Sequence, residues 1–483
     1  MEGRKVAACF LLLLLVLPGL ASAEELSLWP AERGFVDNSG TLVLGRELAE
    51  TPLPEWHFSR RSDRRYRPGQ AVWACPALAV VNGRPMAFVG GFDSTMHALD
   101  LMSKEEAWSK ITNGPINSGA AIGEIGGRQV VYWGSTDRSV YSFFALEGSR
   151  LWTREIIEPT SSLGDVELSA PVLLGGVLYI CCFAYDKAIA RSDQKAELIA
   201  LEAATGRELW RLRVGDGPLS TPVILEIGGR DVAIIAARKG LVQAFDLSTK
   251  PPHRMWDYQM PQEVLGYPAV DTTATPPSLF LGSKFGSMIS LDAATGKERW
   301  KKMTGDWLDN SPAVGSVKGR RAVFGGSNDY CVYAWAADSG ELLWRQPIGG
   351  EVFSIPTLFT LDGKPSVLVS SLDDHTYVLD ADDGRVVTSF FTGELLWDLK
   401  TKGENVWGSA AVFQGRANTV AVFGSYNGTI FVIPLTGECS LTAKVRSSAG
   451  LWIGLAVAFV LFVFVILPVV LLLPGRKGGV EPE

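Results

Sequence analysis

An eleven-residue phrase that recurs at a spacing in the mid-forties is the feature that most constrains the fold of this 483-residue chain. Clear copies are ALEAATGRELW (200–210), SLDAATGKERW (290–300) and AWAADSGELLW (334–344). The tryptophans that end the phrase are Trp108, Trp152, Trp210, Trp256, Trp300 and Trp344, which advance in steps of 44, 58, 46, 44 and 44 residues. A period of this size indicates one supersecondary unit per copy.

Each repeat contains four short runs of β-forming residues separated by Gly, Asp, Asn and Pro. Examples in order along a repeat are STPVIL (220–225), AVFGGS (322–327), MISLD (288–292) and ERWKK (298–302), the last of which carries the tryptophan. Runs of this kind predict strands, and four antiparallel strands per repeat predict a β-propeller blade. We therefore predict an all-β fold in which each tryptophan buries its ring between neighbouring blades and acts as a structural clasp.

The starts of the first strands predict the number of blades. They fall at Pro76, Ala120, Pro171, Pro222, Pro268, Pro312, Pro356 and Ala411, which predicts an eight-bladed propeller over residues 53–435. The last unit, 408–435, ends after its third strand. We expect residues 53–59 to close that blade, with Trp56 at the position of a blade tryptophan. Closure of the ring removes exposed sheet edges, which otherwise invite aggregation.

Apolar segments at both ends of the chain predict membrane targeting. Residues 1–23 combine a basic start, a short apolar core and an Ala-Ser-Ala end, the three parts of a secretory signal peptide. Residues 451–473 carry no charge and predict one transmembrane helix. The expected order also includes a lead-in segment (24–52), a stalk (436–450) and a short cytoplasmic tail (474–483). The propeller is then extracytoplasmic, and periplasmic if the cell is Gram-negative.

Charge, a missing cysteine motif and histidine spacing argue against three classes of function. The formal net charge of −7, without a basic stripe, argues against a nucleic-acid partner. No C-x-x-C-H motif is present, so a c-type haem is not expected. The histidines are scattered without the spacing of metal ligands, so no metal site is predicted; they are His57, His97, His253 and His375.

The A-L-D/E-A-x-T-G-x-x-x-W phrases resemble the tryptophan-docking repeats of the eight-bladed quinoprotein-like propellers. That superfamily includes pyrroloquinoline-quinone (PQQ) alcohol dehydrogenases and the BamB-like outer-membrane assembly proteins. The resemblance covers about residues 53–435. It implies the fold more directly than the activity, because one fold hosts both an enzyme and a scaffold.

The resemblance raises a quinoprotein enzyme as an alternative. Dehydrogenases of this superfamily use PQQ, Ca²⁺ or a related ion, carboxylate ligands and a stacking tryptophan, and several have a disulfide between adjacent cysteines. Cys181 and Cys182 are adjacent here. Neighbouring strand residues point to opposite faces, which favours two buried thiols, but a vicinal disulfide stays open. No ligand set for Ca²⁺ matches residue by residue. We therefore expect no catalytic residues and no cofactor, with PQQ plus Ca²⁺ as the alternative.

A candidate binding face follows from the blade topology. Turns between second and third strands and loops between blades are expected to share one face around the channel, where polar and aromatic groups form a default binding site. The candidate residues are Trp73, Trp307, Trp407, Asp93, Asp137, Asp329, Asp373 and Asn427. Trp307 and Trp407 are the expected hot spots, because aromatic side chains concentrate interface energy. The alternative is that the carboxylates only form turns and the aromatic rings only pack.

These observations favour a membrane-anchored, non-catalytic protein-binding or scaffold module. The resemblance to BamB-like proteins implies a partner among envelope or membrane proteins. Two other classes stay open: a PQQ-dependent oxidoreductase that passes electrons to the membrane, and an ectodomain that binds a small ligand.

Overall fold

The computed structural model describes residues 41–43, 56–58, 72, 74–159, 163–188, 195–215, 217–308, 310–391, 409–414, 419–424 and 430–435. Strands in these residues form eight sheets, one per predicted blade. The innermost strands contact one another between most successive blades, blades 4 and 5 are joined by the hydrogen bond from Trp256 to Ala293, and the innermost strand of the last blade contacts that of the first. The ring is therefore closed, and the prediction of an all-β, eight-bladed propeller with four-stranded antiparallel blades is confirmed.

The strands, numbered in chain order, are short and consecutive within each blade. Two precede the first blade, β1 (Thr41–Val43) and β2 (Trp56–Phe58). Blade 1 contains β3 (Ala77–Val81), β4 (Arg84–Gly90), β5 (Thr95–Asp100) and β6 (Glu105–Ile111). Blade 2 contains β7 (Ala121–Ile125), β8 (Arg128–Gly134), β9 (Ser139–Phe144) and β10 (Arg150–Glu155). Blade 3 contains β11 (Leu163–Leu168), β12 (Val172–Leu174), β13 (Val177–Asp186), β14 (Lys195–Glu202) and β15 (Glu208–Arg213). Blade 4 contains β16 (Val223–Ile227), β17 (Arg230–Ala236), β18 (Leu241–Asp246) and β19 (His253–Gln259).

The second half of the ring repeats this order. Blade 5 contains β20 (Ala269–Asp271), β21 (Ser278–Gly282), β22 (Ser287–Asp292) and β23 (Glu298–Met303). Blade 6 contains β24 (Ala313–Val317), β25 (Arg320–Ser327), β26 (Cys331–Ala336) and β27 (Leu342–Pro347). Blade 7 contains β28 (Thr357–Leu361), β29 (Lys364–Ser370), β30 (His375–Asp380) and β31 (Val386–Phe391). Blade 8 contains β32 (Ala411–Gln414), β33 (Thr419–Gly424) and β34 (Ile430–Pro434), with β2 as its outermost strand.

The N-terminal strands close the ring at blade 8. β2 pairs antiparallel with β34, with Trp56 opposite Val432, which is the closure predicted for residues 53–59. β1 adds a strand that the sequence did not predict: it pairs in parallel with the innermost strand β32, with Thr41 opposite Val412. Blade 8 therefore has five strands.

Blade 3 departs from the predicted pattern of one opening strand at 169–174. Two separate strands, β11 and β12, pair with different parts of the ten-residue strand β13. Pro171 lies between them, and a proline cannot donate to a sheet ladder. The same property explains why most first strands begin one residue after the predicted proline, as Val223 follows Pro222 and Ala313 follows Pro312.

The blade tryptophans join neighbouring blades through the indole N–H. Trp300 donates to the carbonyl of Ala337 at 3.0 Å, and its ring is 8% exposed. Gly340 of the same turn has a φ of +67°, and a Cβ there would lie 2.7 Å from the ring, so the turn needs glycine to approach the indole. Equivalent bonds join Trp108 to Ala145 (2.9 Å), Trp152 to Ala203 (2.8 Å), Trp256 to Ala293 (3.0 Å) and Trp344 to Ala381 (2.9 Å).

Trp210 is the exception in the described part of the chain. Its ring packs against Tyr179 with the centroids 6.0 Å apart, but its indole N–H has no acceptor among the described residues. The turn in blade 4 that faces it reads Ser-Thr-Lys-Pro-Pro (248–252), whereas the turns that face the other described tryptophans contain a glycine, at Gly148, Gly206, Gly296, Gly340 and Gly384. This junction therefore lacks the turn glycine against which the other described tryptophan rings pack. The side chain of Trp56 lies outside the described residues.

The predicted membrane-targeting segments also lie outside the described residues. They are the signal peptide (1–23), the lead-in segment apart from 41–43, the stalk (436–450), the transmembrane helix (451–473) and the tail (474–483). In the part of the chain that the structure describes, no helix has the length and apolar character needed to cross a membrane.

Candidate functional site

The turns between the second and third strands lie beside the loops that connect the blades. In each case a turn N–H donates to a loop carbonyl: Lys284 to Glu263 at 2.9 Å, Asn328 to Trp307 at 2.9 Å, and Leu372 to Glu351 at 2.9 Å. We call this surface the turn face. Its described turns are residues 91–94, 135–138, 237–240, 283–286, 327–330 and 371–374. The face therefore brings together the two sets of residues that the sequence predicted to meet.

The predicted carboxylates of blades 2, 6 and 7 hold this face together. Each accepts a hydrogen bond from the tyrosine four residues later: Tyr141 to Asp137 at 2.6 Å, Tyr333 to Asp329 at 2.5 Å, and Tyr377 to Asp373. Two also accept a backbone N–H from the preceding loop, from Asn113 to Asp137 at 2.9 Å and from Gly305 to Asp329 at 2.7 Å.

These bonds keep the tyrosines neutral. Burial, together with the hydrogen bond to Asp373, raises the pKa of Tyr377 to about 12. The same two causes raise the pKa values of Tyr141 and Tyr333. The tyrosine of the same blade thus occupies one oxygen of each carboxylate, whereas Oδ1 of Asp329 is buried without a hydrogen-bond partner among the described residues.

Blade 1 has a histidine in place of the tyrosine. His97 is 4% exposed; its Nε2 lies 3.2 Å from Asp93 and its Nδ1 lies 2.7 Å from Glu106. Burial disfavours the charged ring, but hydrogen bonds and the charges of the two carboxylates outweigh it, so the pKa of His97 is raised. Asp93, a predicted site residue, is therefore part of a buried ion pair.

Blades 4 and 5 lack the aspartate–tyrosine pair. The aspartate position is occupied by Lys239 in blade 4 and by Phe285 in blade 5, and the tyrosine position by Gln243 and Ile289. Phe285 has a φ of +68° and its side chain is 63% exposed. A bulky residue in the left-handed region is a genuine outlier, and such strain clusters at functional sites.

Blade 6 presents a second aromatic residue in the same backbone region. Tyr330, next to Asp329, has a φ of +66° and is 51% exposed. Trp307 lies on the loop between the two blades and is 37% exposed, with Lys284 of the blade 5 turn 5.1 Å above its ring. Met303, at the end of β23, is 59% exposed. We call Phe285, Met303, Trp307 and Tyr330 the apolar ridge.

A pocket of about 500 Å³ adjoins the apolar ridge on the side of blade 4. We call it the Trp307 pocket. Lys284 lines it, and its ammonium group lies 2.8 Å from the carboxylate of Glu263. Its lining is Lys239, Gln259, Met260, Pro261, Gln262, Glu263, Lys284, Phe285 and Trp307. The pocket lies where two successive blades have lost the aspartate–tyrosine pair.

The adjacent cysteines are buried and unbridged. Cys181 and Cys182 are free thiols, and they point into different hydrophobic clusters on the two faces of β13. Burial raises the pKa of Cys182 to about 12 and that of Cys181 well above its ordinary value. The vicinal disulfide left open by the sequence is not formed in the structure.

Metal-ligating side chains are not clustered in the described residues. Among them, no group of three or more His, Cys, Asp or Glu side chains is arranged to hold a metal ion. The carboxylates Asp137, Asp329 and Asp373 belong to different blades and are already bonded to their own tyrosines.

Of the predicted site residues, Trp307 lies on an exposed surface, beside residues that the sequence analysis did not single out. Trp73, Trp407 and Asn427 lie outside the described residues. The sequence reasoning missed Phe285, Met303 and Tyr330. A signal was present, because SKFGS (283–287) and SNDYC (327–331) place aromatic residues in turns where glycine, asparagine and aspartate are the usual choice.

Comparison with known proteins identifies relatives of the repeat. A PQQ-repeat family model, described as outer membrane protein assembly factor BamB, matches residues 183–302 and 284–450. The serine/threonine-protein kinase AfsK of Streptomyces griseus is 28% identical over 191 residues, 37% of this chain and 21% of that protein. The outer membrane protein assembly factor BamB of Bordetella pertussis is 26% identical over 201 residues, 41% of this chain and 45% of that protein. This chain thus spans less than half the length of either relative.

A solved structure shows the same architecture. The quinohemoprotein alcohol dehydrogenase from Comamonas testosteroni superposes with a TM-score of 0.61 at 13% identity, over 85% of this chain and 81% of that one. At this identity the likeness shows the fold alone, and it does not distinguish an enzyme from a scaffold.

Proposed function

Because the chain belongs to the PQQ-repeat propeller family whose model is described as outer membrane protein assembly factor BamB, we propose that it is a non-catalytic protein-binding scaffold. The observation that carries the proposal is the apolar ridge. Phe285, Met303, Trp307 and Tyr330 expose 63%, 59%, 37% and 51% of their side chains on one face. Exposed apolar patches of this kind mark interaction sites.

The chemistry of the ridge suits a protein partner. Tryptophan and tyrosine are enriched among residues that dominate interface energies, and such residues each contribute about 2 kcal/mol or more when truncated. Two ridge residues also hold a backbone conformation that costs about 1–2 kcal/mol each for an L-residue. The position of Tyr330 has a positive φ in other blades as well, at Ser94, Arg138 and Asp374. Phe285 stands one residue earlier, where no other described turn of this face has a positive φ.

The cellular setting is proposed from the sequence. The apolar segments 1–23 and 451–473 support a propeller that is exported and anchored by one transmembrane helix. The names of the BamB relatives support an envelope protein as partner, in a role connected with protein assembly.

Site-specific photo-crosslinking tests the docking face. A photoreactive residue is placed at Phe285 or Tyr330, and as controls at Leu342 or Leu209, which are 51% and 37% exposed but lie at the other end of their blades. We expect a discrete protein adduct in cells from positions 285 and 330 only, and its loss when Trp307→Ala is added. The adduct partner, purified, must bind the purified chain at least ~30-fold less well after Trp307→Ala. Adducts that are equal at all four positions contradict the proposal.

Titration with PQQ and Ca²⁺ tests the absence of catalysis. We expect no saturable change in absorbance or melting temperature at tens of micromolar PQQ, and no dye-linked oxidation of alcohols. Saturable binding accompanied by alcohol oxidation would replace the scaffold by a quinoprotein oxidoreductase.

A further inference from the structure

The Trp307 pocket combines an apolar wall with a basic rim. Met260, Pro261, Phe285 and Trp307 form the wall, and Lys239 stands at the edge. We propose that the pocket receives an acidic segment of the partner protein, with one large apolar side chain seated against Trp307. The inference rests on the proposed function and names the chemistry of the partner at the same site.

The charges around the pocket favour an acidic segment. Arg238 and Lys239 lie on the exposed turn of blade 4, and neither forms an ion pair among the described residues. Lys284 is neutralised by Glu263 at 2.8 Å. The charged residues that line the pocket are Lys239, Lys284 and Glu263, which leaves Lys239 as one uncompensated positive charge at the rim, on a chain whose formal net charge is −7. A local field opposite to that of the whole molecule selects partners of complementary charge.

Two acidic residues close to Trp307 do not line the pocket. The carboxylate of Asp306 accepts the N–H of Trp307 at 2.7 Å, and that of Asp329 accepts the N–H of Gly305 at 2.7 Å. Neither residue lines the pocket. The carboxylates of this loop are therefore engaged by backbone N–H groups outside the pocket, and Lys239 stays available at its rim.

The pocket is preformed. The amide of Gln259 donates to the carbonyls of Lys239 and Met260, at 3.0 and 2.9 Å. The side-chain oxygen of Gln262 accepts a hydrogen bond from Ser283 at 3.0 Å. These bonds fix the blade 4–5 loop to the turns on both sides, and a site that is already ordered loses less entropy when a chain segment binds. A volume of about 500 Å³ accommodates a large side chain and its neighbours.

Three labelled peptides serve as probes with the full-length protein in detergent. Each has about thirteen residues of Gly and Ser: the first has a central Phe flanked by four Glu, the second the same Phe flanked by four Lys, and the third four Glu with Gly in place of Phe. Fluorescence polarisation is measured at low and high NaCl. We expect the Glu–Phe peptide to bind at least ~10-fold more tightly than the other two, and its affinity to fall at least ~5-fold at high salt because exposed charges are screened.

Charge reversal at the rim separates the pocket from the overall charge. Lys239→Glu is expected to weaken the Glu–Phe peptide ~10-fold and to strengthen the Lys–Phe peptide. The matched control is Lys297→Glu, which makes the same change in net charge on the turn that leads to β23, at the other end of blade 5. Trp307→Ala is expected to abolish the preference for Phe over Gly. Thermal melting of each variant verifies that it is folded.

The outcomes distinguish this inference from the proposed function. Equal binding of the Glu–Phe and Lys–Phe peptides, an equal effect of Lys297→Glu, or no saturable binding up to about 1 mM overturns the acidic segment. The proposed function still stands in that case if the crosslinks at Phe285 and Tyr330 persist and depend on Trp307. Loss of the peptide preference together with the crosslinks overturns the acidic segment and the proposed function.

Discussion

The backbone of Phe285 leads to a prediction in which the usual order of two substitutions is reversed. At ordinary positions in regular structure, alanine is more stabilising than glycine by about 0.5–1 kcal/mol, because glycine loses more backbone freedom on folding. At a left-handed position an L-residue costs about 1–2 kcal/mol, and glycine does not pay this penalty. Phe285 has a φ of +68°, so the second effect applies there.

The magnitude follows from the difference of these terms. Phe285→Gly and Phe285→Ala remove the same ring, which is 63% exposed, so the loss of packing cancels between them. The glycine variant should then be more stable than the alanine variant by about 0.5–1 kcal/mol. At Leu342, which lies in strand β27 and is 51% exposed, alanine should be the more stable of the two by about the same amount.

Chemical denaturation of the four variants measures both differences under the same conditions. Both Phe285 variants should also lose the crosslink formed from position 330. The glycine variant therefore separates the effect on stability from the effect on binding. If alanine is as stable as glycine at position 285, the turn is not strained in solution. The energetic part of the case for the apolar ridge then fails.

Three further predictions concern the rest of the ring. Trp300→Phe should cost about 1–3 kcal/mol, because the buried carbonyl of Ala337 loses its donor, whereas Trp210→Phe should cost clearly less; equal costs in denaturation would contradict the clasp. The raised pKa of His97 means that its ion pairs stabilise the fold fully below about pH 6.5 and stop doing so as pH rises through the folded value. The free energy of unfolding should therefore fall above pH 6.5 in the wild type but not in His97→Gln, and parallel pH profiles would contradict it. Cys181 and Cys182, buried with raised pKa values, should react with a thiol reagent only after unfolding; rapid reaction of the native protein would contradict this.

The ring could be predicted because its determinants repeat. Most blades share the same turn and the same clasp, so the spacing of Trp256, Trp300 and Trp344 carries the information several times over. The closing strand at residues 56–58 followed from the missing fourth strand of blade 8. The parallel strand β1 (Thr41–Val43) could not be predicted, because it has no counterpart in another blade.

The residues of the candidate site are harder to predict than the ring, because the sequence alone does not show whether an aspartate in a turn bonds within its own blade. The pattern Asp-x-x-x-Tyr at 137–141, 329–333 and 373–377 is visible in the sequence, and it marks carboxylates that are used internally. Polarity alone therefore does not separate carboxylates that hold a turn from those that could meet a partner. The informative positions were those where the pattern is broken, at Lys239 and Phe285.

The loss of the aspartate–tyrosine pair connects the fold to the proposed surface. Where the pair is present, its hydrogen bonds fix the turn to the preceding loop, as Asp329 holds Gly305. Blades 4 and 5 give up such bonds, each of which contributes about 1 kcal/mol, and blade 5 adds the strain of Phe285. The clasp at Trp256 joins these two blades through Ala293 at 3.0 Å, and it lies away from the turn face. Because the clasp maintains the junction, the turns above it are free to vary without opening the ring, and that is where the chain exposes its apolar ridge.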